Sequence, residues 1–329
     1  MWECAGGYRI SMNDRKGNGA DGMMAEENEA GLKEMRNCRL CPRNCGIDRN
    51  QRSGSCRVGA KPRVARAALH MWEEPCISGE EGSGAVFFTG CNLGCVYCQN
   101  REIADGTVGK EVSVERLAEI YLELQEQKAN NINLVTAGHW LSDVIASVKL
   151  ARRRGLRIPV VYNSSGYEKV QAIRQLKDVV DIFLPDLKYL SRDLAKRYSH
   201  AADYPDVAAA ALEAMVSLAG EPQFDGREMM TRGVIVRHLI LPGHLEESKA
   251  VIRYLYETYG DRIYISIMNQ YTPMPGIEAR FPELGRTLTE QEYDEVVDYA
   301  IDLGVENGFI QEGETAKESF IPAFDITGV

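Results

Sequence analysis

The chain has 329 residues, 44% hydrophobic and 26% charged, which suffices for one large α/β domain with a small appendage and a core of its own. Its formal charge of −10 argues against binding nucleic acid or an anionic membrane, both of which need a basic face. No apolar run approaches the ~18 residues of a spanning helix and the N-terminus lacks an apolar secretory core, so a cytoplasmic location is expected. The nine cysteines are odd in number and clustered, which fits metal-bound thiolates in a reducing compartment better than a disulfide framework.

Residues 1–30 mix Gly, Asn, Asp and Glu with no sustained period, so a disordered tail is expected. Met23 and Met24 mark an alternative start, and Cys4 is expected to have no partner. A cysteine-rich segment follows over residues 31–75, where Cys38, Cys41, Cys45 and Cys56 read C-x2-C-x3-C-x10-C. Four thiolates in one short stretch, with Pro42, Gly46 and Gly54 to turn the chain, can close a structural metal site by themselves. Ligand count leaves both tetrahedral zinc and an auxiliary [4Fe-4S] cluster open. Cys76 stands alone and reads as a buried thiol, with a supplementary ligand or a substrate-facing thiol as the alternative.

From residue 85 the pattern alternates strand and helix. Ala85–Thr89 reads as a buried strand ending at Gly90, and Ser113 caps a helix carrying Leu117, Ile120, Tyr121 and Leu124. Ile132–Thr136 is the next strand, followed by a helix from Ser142 whose terminal Arg152, Arg153 and Arg154 complement its dipole before Gly155. Strands at Ile158–Tyr162, Val180–Leu184, Gly233–Leu241 and Arg262–Met268 alternate with helices at Tyr167–Lys177, Val207–Ala219 and Glu246–Tyr259, and Thr289 caps a last helix ending near Gly304. Six such units are too few for a closed eight-stranded barrel. The expected fold is therefore α/β, an open partial (β/α)6 TIM-like barrel over residues 76–312 with a C-terminal tail over 313–329.

Chemistry in such barrels sits at the C-terminal ends of the strands, where the unusual polar residues fall here. Asn163, Ser164 and Ser165 follow the third strand, and Asp186 and Lys188 extend the fourth on its inward parity. On the fifth strand only one of Arg237 and His238 can point inside. Arg237 is the better candidate, suited to a carboxylate of substrate or methionine, and His238 reads as a packing residue. His139, just past the second strand, is either a functional or a surface histidine.

The first strand delivers Gly90-Cys91-Asn92-Leu93-Gly94-Cys95-Val96-Tyr97-Cys98, a C-x3-C-x2-C spacing that chance would place in a chain with nine cysteines on the order of 1% of the time. A zinc knuckle or a redox pair with a spare thiol is the plain reading. Three thiolates on a [4Fe-4S] cube instead leave one iron open to a small chelating molecule, and the known partner for this spacing is S-adenosylmethionine. On these residues, with Glu73-Glu74-Pro75 and Cys98-Gln99-Asn100, the sequence resembles the radical SAM superfamily, in its branch related to pyruvate formate-lyase activating enzyme.

The resemblance implies that Cys91, Cys95 and Cys98 hold the cluster and that Tyr97 lies near the adenine. It also implies that Asn163, Ser164, Ser165, Asp186, Lys188 and Arg237 contact the cofactor. It implies an oxidoreductase that makes a 5′-deoxyadenosyl radical to abstract hydrogen from a protein, peptide or small substrate, fed by a reductant such as flavodoxin or ferredoxin. Two departures stand out. Thr136-Ala137-Gly138-His139 replaces the Gly-Gly-Glu that holds the SAM amino group, and Gln99-Asn100-Arg101-Glu102 replaces the Asn-Pro-Glu type run of glycyl-radical activases. The alternative from another class is a non-catalytic iron–sulfur or zinc scaffold that senses redox state.

Overall fold

The computed structural model describes residues 35–311 and 322–329. The tail expected over residues 1–30, with Cys4, Met23 and Met24, lies outside the described residues, as do residues 313–321 of the expected C-terminal tail.

The strands are β1 (Arg63–His70), β2 (Ser83–Phe88), β3 (Lys110–Glu111), β4 (Ile132–Val135), β5 (Val160–Ser164), β6 (Ile182–Pro185), β7 (Gln223–Phe224), β8 (Met230–Leu239), β9 (Tyr264–Met268) and β10 (Gly308–Ile310). They order as β10-β9-β8-β6-β5-β4-β2-β1-β3, with β7 appended to β8, and the run from β2 to β10 is parallel. The path does not close on itself, so the sheet is the open, partial barrel that the alternation of strands and helices implies.

Inward and outward faces follow the two-residue period. Val161, Ile182, Leu184, Met230 and Ile235 pack with Cys76 and Ile77 inside the barrel. Leu134, Tyr162, Phe183, Val234 and Val236 face the covering helices. The helices carry the stripes that cover this outer face. Val114–Glu126 starts at Ser113, whose hydroxyl accepts from the Arg116 amide, and buries Leu117, Ile120, Tyr121 and Leu124. Leu141–Arg154 ends at Gly155 in the left-handed region with three arginines in its last turn, and Glu290–Leu303 opens on a capping box of Thr289 and Glu292.

Four features correct the sequence reading. The third strand runs Val160–Ser164, later than Ile158–Tyr162, because Pro159 has no N–H to give the ladder while its carbonyl accepts from Ile132 at 2.9 Å. Asn163 and Ser164 therefore lie within this strand instead of after it. A seventh parallel strand, β10, joins the far edge; three residues, two of them exposed, carry no readable period. Last, β1 pairs antiparallel with β2 from Val64 to His70, so the sheet begins inside the segment expected to stand apart at 31–75. Residues at the C-terminus also dock on β1, where Ala67 donates to the Thr327 carbonyl at 2.9 Å and Ile326 to that of Ala65 at 3.0 Å.

Candidate active site

A cavity of about 320 Å³ opens among the strand ends, in the size range of small-molecule sites. Cys91, Cys95 and Cys98 line it together with Tyr97, Thr136, Asn163, Ser164, Ser165, Asp186, Lys188 and Arg237. Every residue the sequence singled out for the cluster and its small-molecule partner thus borders one space.

The cysteine loop leaves β2 through Gly90, whose φ is +88° and whose added Cβ would come 2.5 Å from the Cys56 carbonyl oxygen. The Gly90 amide donates to Ile103 at 2.7 Å, that of Cys91 to Cys56 at 3.2 Å and that of Val96 to Tyr198 at 2.9 Å. Arg43, from the N-terminal cysteine segment, donates through Nε to the Asn92 carbonyl at 2.7 Å, and Asn92 Nδ2 reaches the Tyr167 carbonyl at 3.0 Å. The loop is held largely by its backbone, and its thiols line the cavity, with Cys95 Sγ also meeting Ser199 Oγ at 2.9 Å and Cys91 Sγ accepting from the Leu93 amide at 3.4 Å.

Burial first, and then repulsion from the nearby Cys91 and Cys95, push the Cys98 thiol up to about 12. Cys95 is raised for the same first reason, against the pull of Lys188. Three thiolates crowded there are unfavourable without a cation, and bound iron removes that cost by taking the thiol protons' place. Among the described residues no fourth cysteine lines the cavity. Among the described residues no three His, Cys, Asp or Glu side chains converge on a point suited to one metal ion. The three thiols border one shared space, and three cysteines are the donor set of a cube with one iron left open, so the residues present fit the cluster.

Lys188 Nζ donates to Asp186 Oδ2 at 2.5 Å; burial opposes its charge, but Asp186 and Cys95 hold the ammonium well above its usual value. Tyr97 is buried and its hydroxyl meets that of Tyr189 at 2.5 Å. Thr136, which stands where the resemblance expects the amino-group contact, has a φ of +60°. A β-branched residue in that region is strained by about 1–3 kcal/mol, and the strain sits on the cavity wall.

Arg237 does face inward, and it is already engaged. Its Nε donates to Glu74 Oε1 at 2.8 Å, one terminal nitrogen reaches Glu74 Oε2 at 2.6 Å, and the same nitrogen meets Glu73. Asn133 Nδ2 donates to Glu73 at 2.8 Å. Burial disfavours the Glu74 carboxylate, but the Arg237 charge outweighs it and holds the group below its ordinary value. The expectation of a guanidinium waiting for a ligand carboxylate is corrected to one shared with two resident carboxylates. His238 packs as expected, with its ring nitrogens on the Leu187 carbonyl at 2.8 Å and Ser248 Oγ at 2.9 Å. His139 is neither a surface nor a site histidine: it is buried against the Thr89 carbonyl at 2.7 Å, and burial, helped by the Arg49 charge and opposed by that hydrogen bond, lowers it to about 3 and keeps it neutral. Cys76 is a buried thiol pushed up to about 12 by burial.

Cys38, Cys41 and Cys45 are near enough to Cys56 for their charged forms to interact, and the Cys56 carbonyl accepts from the Cys91 amide, but the four thiols do not converge on one metal-sized point. The Cys38 amide donates to Ile47 and its carbonyl accepts from Gly46, at 2.9 and 2.8 Å. Cys45 Sγ meets Ser55 Oγ at 3.3 Å beside Cys56. Sequence reasoning missed Arg49, which is buried among these segments, donates to the His139 and Gly59 carbonyls and leaves Nε without a partner. It also missed Glu168, beside Gly138. There an added Cβ would sit 2.6 Å from the Tyr162 hydroxyl and 2.8 Å from the Glu168 carboxylate.

Burial lifts Glu168 from 4.5 to about 7, against the hydrogen bond Tyr162 gives it. A carboxyl raised in the folded state contributes stability below its unfolded value and loses it as pH rises through about 7, roughly 3 kcal/mol in all. Glu168→Gln is therefore expected to match the wild type in denaturant unfolding near pH 4.5 and to exceed it by about 3 kcal/mol at pH 8. Equal stability at both pH values would contradict the assignment.

A family model described as the radical SAM superfamily matches residues 85–255. An uncharacterized protein of Methanocaldococcus jannaschii, MJ0674, is 27% identical over 273 residues, 81% of this chain and 75% of its own length. The solved structure of Streptococcus suis SuiB overlays with a TM-score of 0.47 at 11% identity, covering 71% of this chain and 49% of SuiB, so the chain spans about half of that protein. The catalytic domain of a hyperthermophilic chitinase from Pyrococcus furiosus gives a TM-score of 0.39 at 14% identity over 60% of this chain and 72% of the chitinase chain.

Proposed function

The chain belongs to the radical SAM superfamily, and from that premise we propose that Cys91, Cys95 and Cys98 hold a [4Fe-4S] cluster at which S-adenosylmethionine is reductively cleaved. The single observation that carries the reading is three thiols lining one cavity with no fourth cysteine lining it among the described residues. Held by Cys91, Cys95 and Cys98, such a cluster would supply the single electron needed to split the sulfonium into methionine and a 5′-deoxyadenosyl radical able to take a hydrogen atom from substrate.

The chain's own residues bind and orient. Asn163, Ser164 and Ser165 offer hydroxyl and amide groups to a ribose, and Tyr97 offers an apolar face to an adenine. Asp186 and Lys188 present a paired acid and base to the amino acid end, while Arg237 serves the cavity as the neutralising partner of Glu73 and Glu74. Thr136 stands where the amino group is held in the related enzymes, and its backbone is the candidate replacement. The substrate is a protein, a peptide or a small molecule. Placement in the branch of pyruvate formate-lyase activating enzyme, with glycyl-radical activation, rests on the sequence resemblance. The same reading makes flavodoxin or ferredoxin the reductant and the cytoplasm the location.

Cys38, Cys41, Cys45 and Cys56 are proposed to hold zinc or an auxiliary iron–sulfur cluster. The buried Arg49 beside them supports this, since an anionic metal–thiolate centre offsets its charge. A protein with the three loop cysteines changed to alanine should retain metal. Loss of all iron and zinc from it would contradict the second site.

The test of the main reading is direct. Anaerobically reconstituted, dithionite-reduced protein should convert SAM to methionine and 5′-deoxyadenosine in equal amounts, followed by liquid chromatography. No 5′-deoxyadenosine from protein with full iron occupancy would overturn it.

A further inference from the structure

A second hollow, of about 250 Å³, abuts the cysteine loop. It shares only Cys95, Cys98 and Ala104 with the cavity, so two of the three thiols form a wall common to both spaces. Its other lining residues include Arg57, Arg101, Arg280 and His200, all of them exposed.

The charge there is opposite to that of the chain. Asp105 is the one carboxylate among the lining residues, and it is shared by two guanidiniums, with Arg57 at 3.0 Å and Arg101 at 3.6 Å. Arg280 lies over the Phe281 ring at 5.3 Å, which fixes its position without cancelling its charge. Three arginines against one aspartate leave an excess of two positive charges, on a chain whose formal net charge is −10. A local basic hollow in an acidic surface selects an acidic partner and turns it to one orientation. The site it orients toward is the thin wall behind two cluster thiols.

We infer that this hollow is the docking site of a small acidic electron-carrier protein, which passes one electron through the Cys95–Cys98 wall. The inference rests on the proposed cluster at Cys91, Cys95 and Cys98. With flavodoxin as the carrier, the anionic flavin hydroquinone gives up one electron and becomes the neutral semiquinone. The cluster gains that electron, and neither proton nor chemical group crosses the interface. Arg57 also packs against Gly94 of the cysteine loop, where an added Cβ would lie 2.9 Å from its guanidinium, so the partner's docking surface is braced against the loop it serves.

The test uses the reconstituted holoenzyme and reduced flavodoxin as the probe. The double variant Arg101→Glu/Arg280→Glu should lower the second-order rate of cluster reduction by flavodoxin roughly tenfold to a hundredfold at low salt. It should also flatten the dependence of that rate on ionic strength. SAM cleavage driven by dithionite should be unchanged in the variant, and Arg101→Lys/Arg280→Lys, which keeps the charge, should restore the flavodoxin rate. A flavodoxin rate insensitive to charge reversal would overturn the docking site while leaving the cluster assignment intact. Absence of dithionite-driven cleavage in the wild type would overturn the cluster assignment, and the docking site with it.

Discussion

Alanine in place of Cys91, Cys95 or Cys98 is expected to lower SAM cleavage by more than roughly a hundredfold while leaving the fold in place. The proposed cubane depends on all three thiolates, so a single loss removes an iron ligand that no other cysteine lining the cavity among the described residues can replace. The fold persists for a different reason. The loop is positioned chiefly by backbone bonds from Gly90, Cys91 and Val96 and by Arg43 on the Asn92 carbonyl, none of which uses a thiol. The thiol contacts are Cys95 with Ser199 Oγ and the Leu93 amide on Cys91, and the loop keeps its backbone anchors without them. Circular dichroism and thermal melting of the apo proteins should therefore coincide with the wild type. An alanine variant that kept activity, or that lost activity only because it unfolded, would count against the assigned roles.

Arg237→Met should be the most destabilising of the single substitutions considered, by about 3–5 kcal/mol at pH 8. It leaves Glu73 and Glu74 buried side by side with no guanidinium between them; their side chains are 6% and 5% exposed. The sign of the pH dependence follows from the same charges. In the wild type the lowered Glu74 contributes stability above its ordinary value of 4.5 that is lost as the solution is acidified through its folded value. Without Arg237 the carboxylates instead favour protonation. The gap between the two proteins should thus shrink as pH falls toward 4.5. Adding Glu73→Gln and Glu74→Gln to Arg237→Met should recover most of the loss at pH 8. Denaturant unfolding at both pH values reads this out, and a gap independent of pH would show that the trio's charges do not matter to stability.

The barrel and its mouth were legible because two simple periods carried them. Asp186 and Lys188 continue the inward parity of Ile182 and Leu184 on β6, and the structure puts both on the cavity. The same alternation separated Arg237 from His238 on β8. What stayed hidden was pairing over long separations. Glu73 and Glu74 stand 164 and 163 residues before Arg237, and local pattern gives no reason to join them. Arg43 and Arg49 read as ordinary basic residues in a polar stretch, yet the first grips the cysteine loop and the second is buried. Edge strands were missed for another reason: β10 is too short to show a period, and the arginines in β1 mask its alternation. His139 was open between site and surface because a loop position says nothing about burial.

The central claim is that one iron of a three-cysteine cluster is left for S-adenosylmethionine. Electron paramagnetic resonance of the dithionite-reduced protein, before and after SAM is added, tests it most directly. The account predicts a reduced [4Fe-4S] signal that shifts when SAM binds and is lost in Cys91→Ala. A fully iron-loaded protein whose spectrum is the same with and without SAM would contradict it.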